Sequence, residues 1–509
     1  IMTKITKITK ITIITIITIC CCRWHNDRIT LARPFQDIPG PKSLPLVGTL
    51  YKYLPYIGEY SFKKLHEAGA KKLANYGPLV KEEIVPGEYT VWVFNPDDIA
   101  EVFKTKIGHY PERRSHLALL KYRNDRRNIY NTGGLLPTNG PEWWRLRKEF
   151  QKALSKPQSI VTYVEDTDQI VKEFVGLCQH KEPSKDILPL LSRLFLELTC
   201  LVAFDIKLNS FSNDEMKKNS ISSELIKAAF ETNSAILNLD NGPRLWRFFN
   251  TPLFKKFSNS QRLMESFAID MVARKKIQLE KCSTGNNESL LETYLNNSNL
   301  DDKDVVGMAC DMLLAGIDTT TYSISFALYH LGKNLEAQDN LYRESAKLLP
   351  NAEDPMTSYI LEKARYTKAV LKETFRMNPI SVGIGRILKT DTVLSGYSVP
   401  EGTVVVTQNQ VICRLPEFFT DPETYLPERW LRDSNDTIDN KPVHPYLVLP
   451  FGHGPRSCIA RRLAEQSMQV FLLRLCRKYK FEWEGGKLDS ESLLINVPDG
   501  PIKLRFHSR

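Results

Sequence analysis

Near the C-terminus, the stretch PFGHGPRSCIARRLAEQ sets Phe451, Gly454, Arg456 and Cys458 at F-x-x-G-x-R-x-C spacing. Such a pattern suits a cysteine thiolate held on iron. A glycine permits the tight turn that aims backbone N–H groups at sulfur. An arginine can pair with a carboxylate of a bound cofactor. A helix beginning just after Cys458 presents its positive end to the thiolate. For a lone cysteine, a structural buried thiol is the commoner reading; four specified positions around it shift the balance toward ligation.

A second set of chemical residues interrupts an apolar helical stretch, GMACDMLLAGIDTTTYSIS. Ala315 and Gly316 are small enough for a flat cofactor to approach the backbone, and a glycine loosens the helix there. Asp318 and Thr319 form an acid–alcohol pair that is costly in such surroundings unless it has a task. The alternative for Thr319 is a bond from its hydroxyl back to a carbonyl one turn earlier. Elsewhere Glu373 and Arg376 stand i,i+3 on one helical face, and Trp143 and Arg147 stand one turn apart in PEWWRLRKEF. For the neighbouring Arg145, a plain surface-helix role is expected.

The elements that must position these residues are mostly helices. Apolar residues at helical spacing fill most of 140–380, residues 58–75 read as a helix, and another helix is expected over 459–479. Short β-branched and aromatic runs at 79–85 and 89–94, parted by Pro86-Gly87, read as a hairpin; further strands are expected at 386–394, 403–407 and near the terminus. The fold class is mainly α, one large domain with small marginal sheets. Its organisation reads as a leader over 1–33, a proline-rich lead-in over 34–48 that cannot be helix interior, and the domain proper over 49–509.

Composition narrows the function. Of the formal charge of +10, half lies in residues 1–33, so the remainder is too mild to argue for nucleic acid. Ten cysteines without zinc spacing or a disulfide pattern suit a reducing compartment. The leader is basic, hydroxyl-rich and free of acid until Asp27, which suits a mitochondrial presequence; its apolar run is short for a transmembrane helix.

The cysteine loop, the A-G-x-D-T-T helix, the E-x-x-R pair followed by Pro427-Glu428-Arg429-Trp430, and the W-x-x-x-R helix occur in the order found in the cytochrome P450 family, which the chain resembles from about residue 34 to its end. The resemblance implies a haem-thiolate monooxygenase with haem b and Cys458 as the axial iron ligand. Phe451 and Ala315 would line the cofactor. Trp143, Arg147, Arg386 and Arg456 would bind its propionates. Thr319 would steady dioxygen and Asp318 would feed protons through water. Glu373, Arg376 and Arg429 would form a buried structural network. One departure is Ala460, where the family usually has glycine; alanine is the smallest step away and is expected to fit.

Lys368 and Lys372 share a helical face, and Arg461 and Arg462 follow the cysteine. Solvated surface charge is the ordinary reading of each, yet together they resemble mitochondrial members that dock an acidic, adrenodoxin-like ferredoxin fed by an NADPH-dependent reductase. Residues 244–257, aromatic and basic, lie where the family carries its substrate-access loop; they suit peripheral membrane contact or core packing. The stretch from His109 to Arg147 resembles arthropod mitochondrial ecdysteroid-pathway hydroxylases, which implies C22 hydroxylation of an ecdysteroid precursor on the matrix side of the inner membrane. A broad-range mitochondrial detoxifying enzyme and a non-enzymatic haem sensor remain open.

Overall fold

The computed structural model describes residues 31–104, 110–156, 161–178, 185–242, 244–281, 288–431 and 442–509. The leader therefore lies outside the described residues, except for its last three. Of these, Arg33 is already tied to the body: its N–H donates to the Gly396 carbonyl, its own carbonyl accepts from Ser398 N–H, and its guanidinium lies 3.9 Å from the Tyr397 ring centroid. The proline-rich lead-in runs against the first strand, where Lys81 N–H donates to the Pro39 carbonyl.

Among the described residues, the helices of eight or more residues are α1 (Leu65–Tyr76), α2 (Pro96–Phe103), α3 (Leu117–Asn124), α4 (Gly140–Leu154), α5 (Val164–Cys178), α6 (Leu188–Phe204), α7 (Ile221–Asn241), α8 (Pro252–Lys281), α9 (Asp302–Lys333), α10 (Leu335–Leu348), α11 (Arg365–Met377) and α12 (Arg461–Lys478). A four-stranded sheet takes the order β1 (Leu79–Val85), β2 (Glu88–Val93), β6 (Val404–Thr407), β3 (Gly385–Ile387). β2 and β6 are parallel and the other two pairings antiparallel. Two-stranded ladders join β4 (Thr392–Leu394) to β5 (Tyr397–Val399), β7 (Tyr479–Trp483) to β10 (Leu504–Ser508), and β8 (Ser490–Ser492) to β9 (Asn496–Pro498).

The hairpin expected around Pro86-Gly87 is β1–β2, with Gly87 at φ +80° as its turn requires. The helix expected over 58–75 starts later, at Leu65. Upstream, Gly58 lies where a Cβ would fall 2.2 Å from the Lys52 carbonyl oxygen, so the chain there is a tight turn rather than a helix.

The spine of the molecule is α9. Asp301 caps it, its carboxylate accepting from Asp304 N–H, and most of its 32 residues are buried. Four hydroxyls inside this helix are accommodated by local acceptors. Thr319, Thr321, Ser323 and Ser325 each donate to the carbonyl four residues earlier. One apolar core forms where α9 meets α4–α8 and α12; a second fills the space between the four-stranded sheet and the segments around Phe419 and Leu447. No described helix is long and apolar enough to cross a membrane.

Candidate haem-thiolate site

The cysteine loop folds as its residue types demand. His453 enters a single 3₁₀ turn, Gly454–Arg456, and Gly454 has φ +71°, which favours glycine. Cys458 N–H donates to the Phe451 carbonyl at 2.8 Å, which closes the loop. Ala460 stands at the start of α12 with φ −94° and ψ 15°, outside the left-handed region that would favour glycine. Its backbone N–H bonds to the sulfur.

Cys458 keeps accessible surface, yet the atoms packed about it raise its thiol pKa through burial. The Ala460 N–H, Arg147 and Arg461 oppose that rise by favouring the thiolate, the second and third through charge. Arg147 acts from its bond to the neighbouring residue. Its Nη1 donates to the Ser457 carbonyl at 2.7 Å and its Nε to Gln151 at 2.8 Å, which fixes α4 against the loop.

Arg386 on β3 and Arg456 in the loop are both buried, and Arg113 joins them. Burial is the main cause of each shift, and mutual repulsion adds to it. The guanidinium pKa of Arg386 is pushed down to about 10, with Arg113 contributing; Arg113 itself falls to about 10, with Arg147 contributing. For Arg456 the pKa is pushed down to about 8, with Arg113, Arg386 and Arg147 all contributing. Arg456 donates to the Pro111 carbonyl at 2.8 Å, to the Thr138 carbonyl and to Asn139 Oδ1 at 2.6 Å, and its guanidinium carbon lies 4.2 Å from the Trp143 ring centroid. Its Nη1 is buried without a hydrogen-bond partner. Asp311 offsets part of this charge at Arg113 and Glu112 part of it at Arg456, and what remains around the orphaned donor is what a bound dianion would relieve. A thiol loop beside such a cluster fits a porphyrin that carries two carboxylates.

The expected site residues on α9 divide between two faces. Ala315 is exposed in the middle of a mostly buried helix. At Gly316 a Cβ would lie 2.7 Å from Thr199 Oγ1, so the glycine lets α9 approach α6. Thr319 Oγ1 donates to the Ala315 carbonyl at 2.6 Å, so the back-bonded alternative is the arrangement present. The Thr319 oxygen keeps lone pairs as an acceptor. Asp318 is buried, and its Oδ2 accepts from Asn233 Nδ2 of α7 at 2.9 Å. Burial pushes its carboxyl pKa up to about 6, with the Asn233 bond opposing.

The expected Glu–Arg–Arg network is present and buried. Glu373 bonds Arg376 at 2.8 and 2.9 Å, approaches Arg429 at 3.4 Å, and accepts from Trp430 Nε1 at 2.9 Å; the three charged side chains are fully buried. Arg376 also donates to the carbonyls of Cys413, Pro422 and Thr424. Phe375 of the same helix meets the Phe451 ring edge-on at 5.5 Å, which links the network to the cysteine loop. Arg145 does more than the surface role expected of it: it bonds Glu142 at 2.7 Å and Asp304 at 2.9 Å, tying α4 to the first turn of α9.

Lys368, Lys372, Arg461 and Arg462 are all exposed. Glu465 bonds Arg461 at 3.0 Å and lies within electrostatic reach of Lys368, so α11 and α12 present these charges side by side. Arg461 lies 5.4 Å from the Phe451 ring, which puts the basic surface on the cysteine side. Residues 244–257 split between the two readings: Trp246, Phe254 and Phe257 are buried, whereas Phe248 is 85% exposed and Phe249 57%.

Two site residues were not singled out from sequence. Arg113 is one of two adjacent arginines in PERRSH, and nothing local distinguishes it from Arg114. Asn233 did carry a signal, since it shares the buried stripe of α7 with Ala229, Ile236 and Asp240.

The sequence model of the family described as Cytochrome P450 matches residues 38–506. "Cytochrome P450 302a1, mitochondrial" of Drosophila melanogaster is 48% identical over 485 residues, which cover 94% of this chain and 96% of that one. "Probable cytochrome P450 12a5, mitochondrial", from the same fly, is 32% identical over 502 residues, covering 93% and 91%. "Probable cytochrome P450 49a1", also from that fly, is 30% identical over 497 residues, covering 94% and 83%. With the thiol loop, the arginine cluster and the buried Glu–Arg–Arg network in place, these matches make the chain a member of the cytochrome P450 family, a monooxygenase that binds haem b.

Proposed function

We propose that the chain is a mitochondrial steroid hydroxylase that acts at C22 of an ecdysteroid precursor and draws its electrons from a ferredoxin. The observation that carries this reading is the 48% identity, over nearly the whole of both chains, to a fly protein whose name places it in mitochondria. The ecdysteroid assignment rests on the 109–147 stretch and its resemblance to hydroxylases of that pathway. The exposed set Lys368, Lys372, Arg461 and Arg462 supports ferredoxin docking, since an acidic partner would be steered to the cysteine side. Residues 1–33 act as the presequence, the chain works on the matrix side of the inner membrane, and exposed Phe248 and Phe249 give it a peripheral hold on the bilayer.

Haem supplies dioxygen reduction and C–H oxidation, and the protein sets the conditions. Cys458 holds the iron, with sulfur charge balanced by the Ala460 N–H and Arg147. Arg386, Arg456 and Arg147 bind the propionates, with Trp143 beneath Arg456. Phe451 and Ala315 shape the cofactor chamber. Thr319, whose hydroxyl donates to the Ala315 carbonyl, would keep its oxygen as an acceptor beside the haem. Asp318 passes protons inward from water, for which a carboxyl with a pKa of about 6 is suited.

The test is reconstitution with an ecdysteroid ketotriol as substrate. A ferredoxin with its NADPH-dependent reductase should sustain 22-hydroxylation, and a diflavin reductase should not. A haem-replete enzyme that forms no 22-hydroxylated product under either donor would refute the assignment.

A further inference from the structure

Asp318 does not stand alone on α9. Asn233, 5% exposed on α7, directs its amide at two points one turn apart: Nδ2 lies 2.9 Å from Asp318 Oδ2 and 3.3 Å from the Leu314 carbonyl oxygen. Those two residues bracket Ala315 and Gly316. The Leu314 carbonyl belongs to the turn that Asp318 N–H closes, so one amide grips both the carboxyl and the backbone of that turn. The grip is neutral, short and buried. An amide held there gives the carboxyl its direction and, as a neutral donor, favours its ionised form.

α7 is itself anchored at its far end. Asp240 accepts from the backbone N–H groups of His116, Leu117 and Ala118, which begin α3. A displacement of α7 would therefore be felt at the start of α3 and at Asp318 together.

We infer that Asn233 is a positioning residue for oxygen activation: its amide clamps the 314–318 turn and sets where the Asp318 carboxyl stands, so the placement of α7 governs proton delivery. The inference rests on the reading of Asp318 as the proton-passing acid. Productive turnover consumes one dioxygen, two electrons and two protons, and yields hydroxylated product and water. Mistimed protonation consumes the same electrons and protons but releases hydrogen peroxide and leaves the substrate intact.

The experiment compares Asn233→Leu, Asn233→Gln and Asp318→Asn in haem-replete enzyme. Product and peroxide are counted per dioxygen consumed, and substrate affinity is read from the spin-state shift. Asn233→Leu should lower product per dioxygen about tenfold, on the order expected for a misplaced catalytic group, with peroxide making up the difference and substrate affinity kept within about twofold. Asn233→Gln, which retains the donor, should recover at least half of the parent ratio. Infrared spectra should show the protonated-carboxyl band that Asp318→Asn abolishes, shifted in Asn233→Leu. If the leucine variant fails to load haem, Asn233→Ser carries the same expectation. An unchanged product ratio and carboxyl band in the Asn233 variants, with coupling lost in Asp318→Asn, would overturn the clamp alone. Full coupling in Asp318→Asn would overturn the role of the acid itself.

Discussion

Arg147 donates its Nη1 to the carbonyl oxygen of Ser457 at 2.7 Å, one residue before the cysteine sulfur. A single guanidinium thus braces the cysteine loop, opposes the burial of the thiolate and joins the cationic cluster formed by Arg113, Arg386 and Arg456. Arg147→Gln keeps a donor but removes the charge. Haem affinity should fall ~10–100-fold, the usual cost of removing a group that supports a metal ligand. Haem content after dialysis against an apo-haem acceptor measures it; parental retention would place the charge elsewhere.

Glu373 faces two arginines in a site without water access. Glu373→Gln leaves both guanidinium groups without their anion, a loss of ~3–5 kcal/mol. Denaturant unfolding should show that loss, and most of the expressed protein should lack haem because Phe375 carries the disturbance to Phe451.

Thr319→Val removes the 2.6 Å bond to the Ala315 carbonyl, worth about 1 kcal/mol, and little else in the fold. The midpoint of thermal unfolding should move by only a few degrees. Product per dioxygen should fall ~10-fold or more if the hydroxyl acts in oxygen activation, and Thr319→Ser should restore it.

Asp318 makes stability depend on pH. Its pKa of about 6 exceeds the ordinary carboxylate value, so the native state holds a proton that the unfolded chain has lost between about pH 4 and 6. Stability from this group is therefore present at low pH and lost as pH rises through 6; the penalty approaches ~3 kcal/mol above that. Asp318→Asn has no charge to bury. Its unfolding midpoint should exceed that of the parent at pH 8, and the advantage should shrink toward pH 4. An equal advantage at both pH values would contradict the raised pKa.

The parts legible in the sequence are those where type and spacing alone specify geometry. Gly454 announced the turn, Glu373 and Arg376 their shared face, and Pro86-Gly87 the hairpin. Three things were not legible, because they depend on which helix lies opposite. Gly316 answers to Thr199 on α6. Asp318 turns toward Asn233 on α7. Arg113 is distinguished from Arg114 only by what surrounds it: Arg113 is buried among Asp311, Arg147 and the Leu136 carbonyl, whereas Arg114 pairs with Glu88 at 2.6 Å. Local spacing carries no information about such partners.

Every chemical role assigned here depends on Cys458 as the iron ligand, and Cys458→Ser tests that most directly. The reduced, carbon monoxide-treated protein should lose the red-shifted band of thiolate-ligated haem, and hydroxylation should vanish with it. A variant that keeps that band, or that still hydroxylates at the parental rate, would contradict the account.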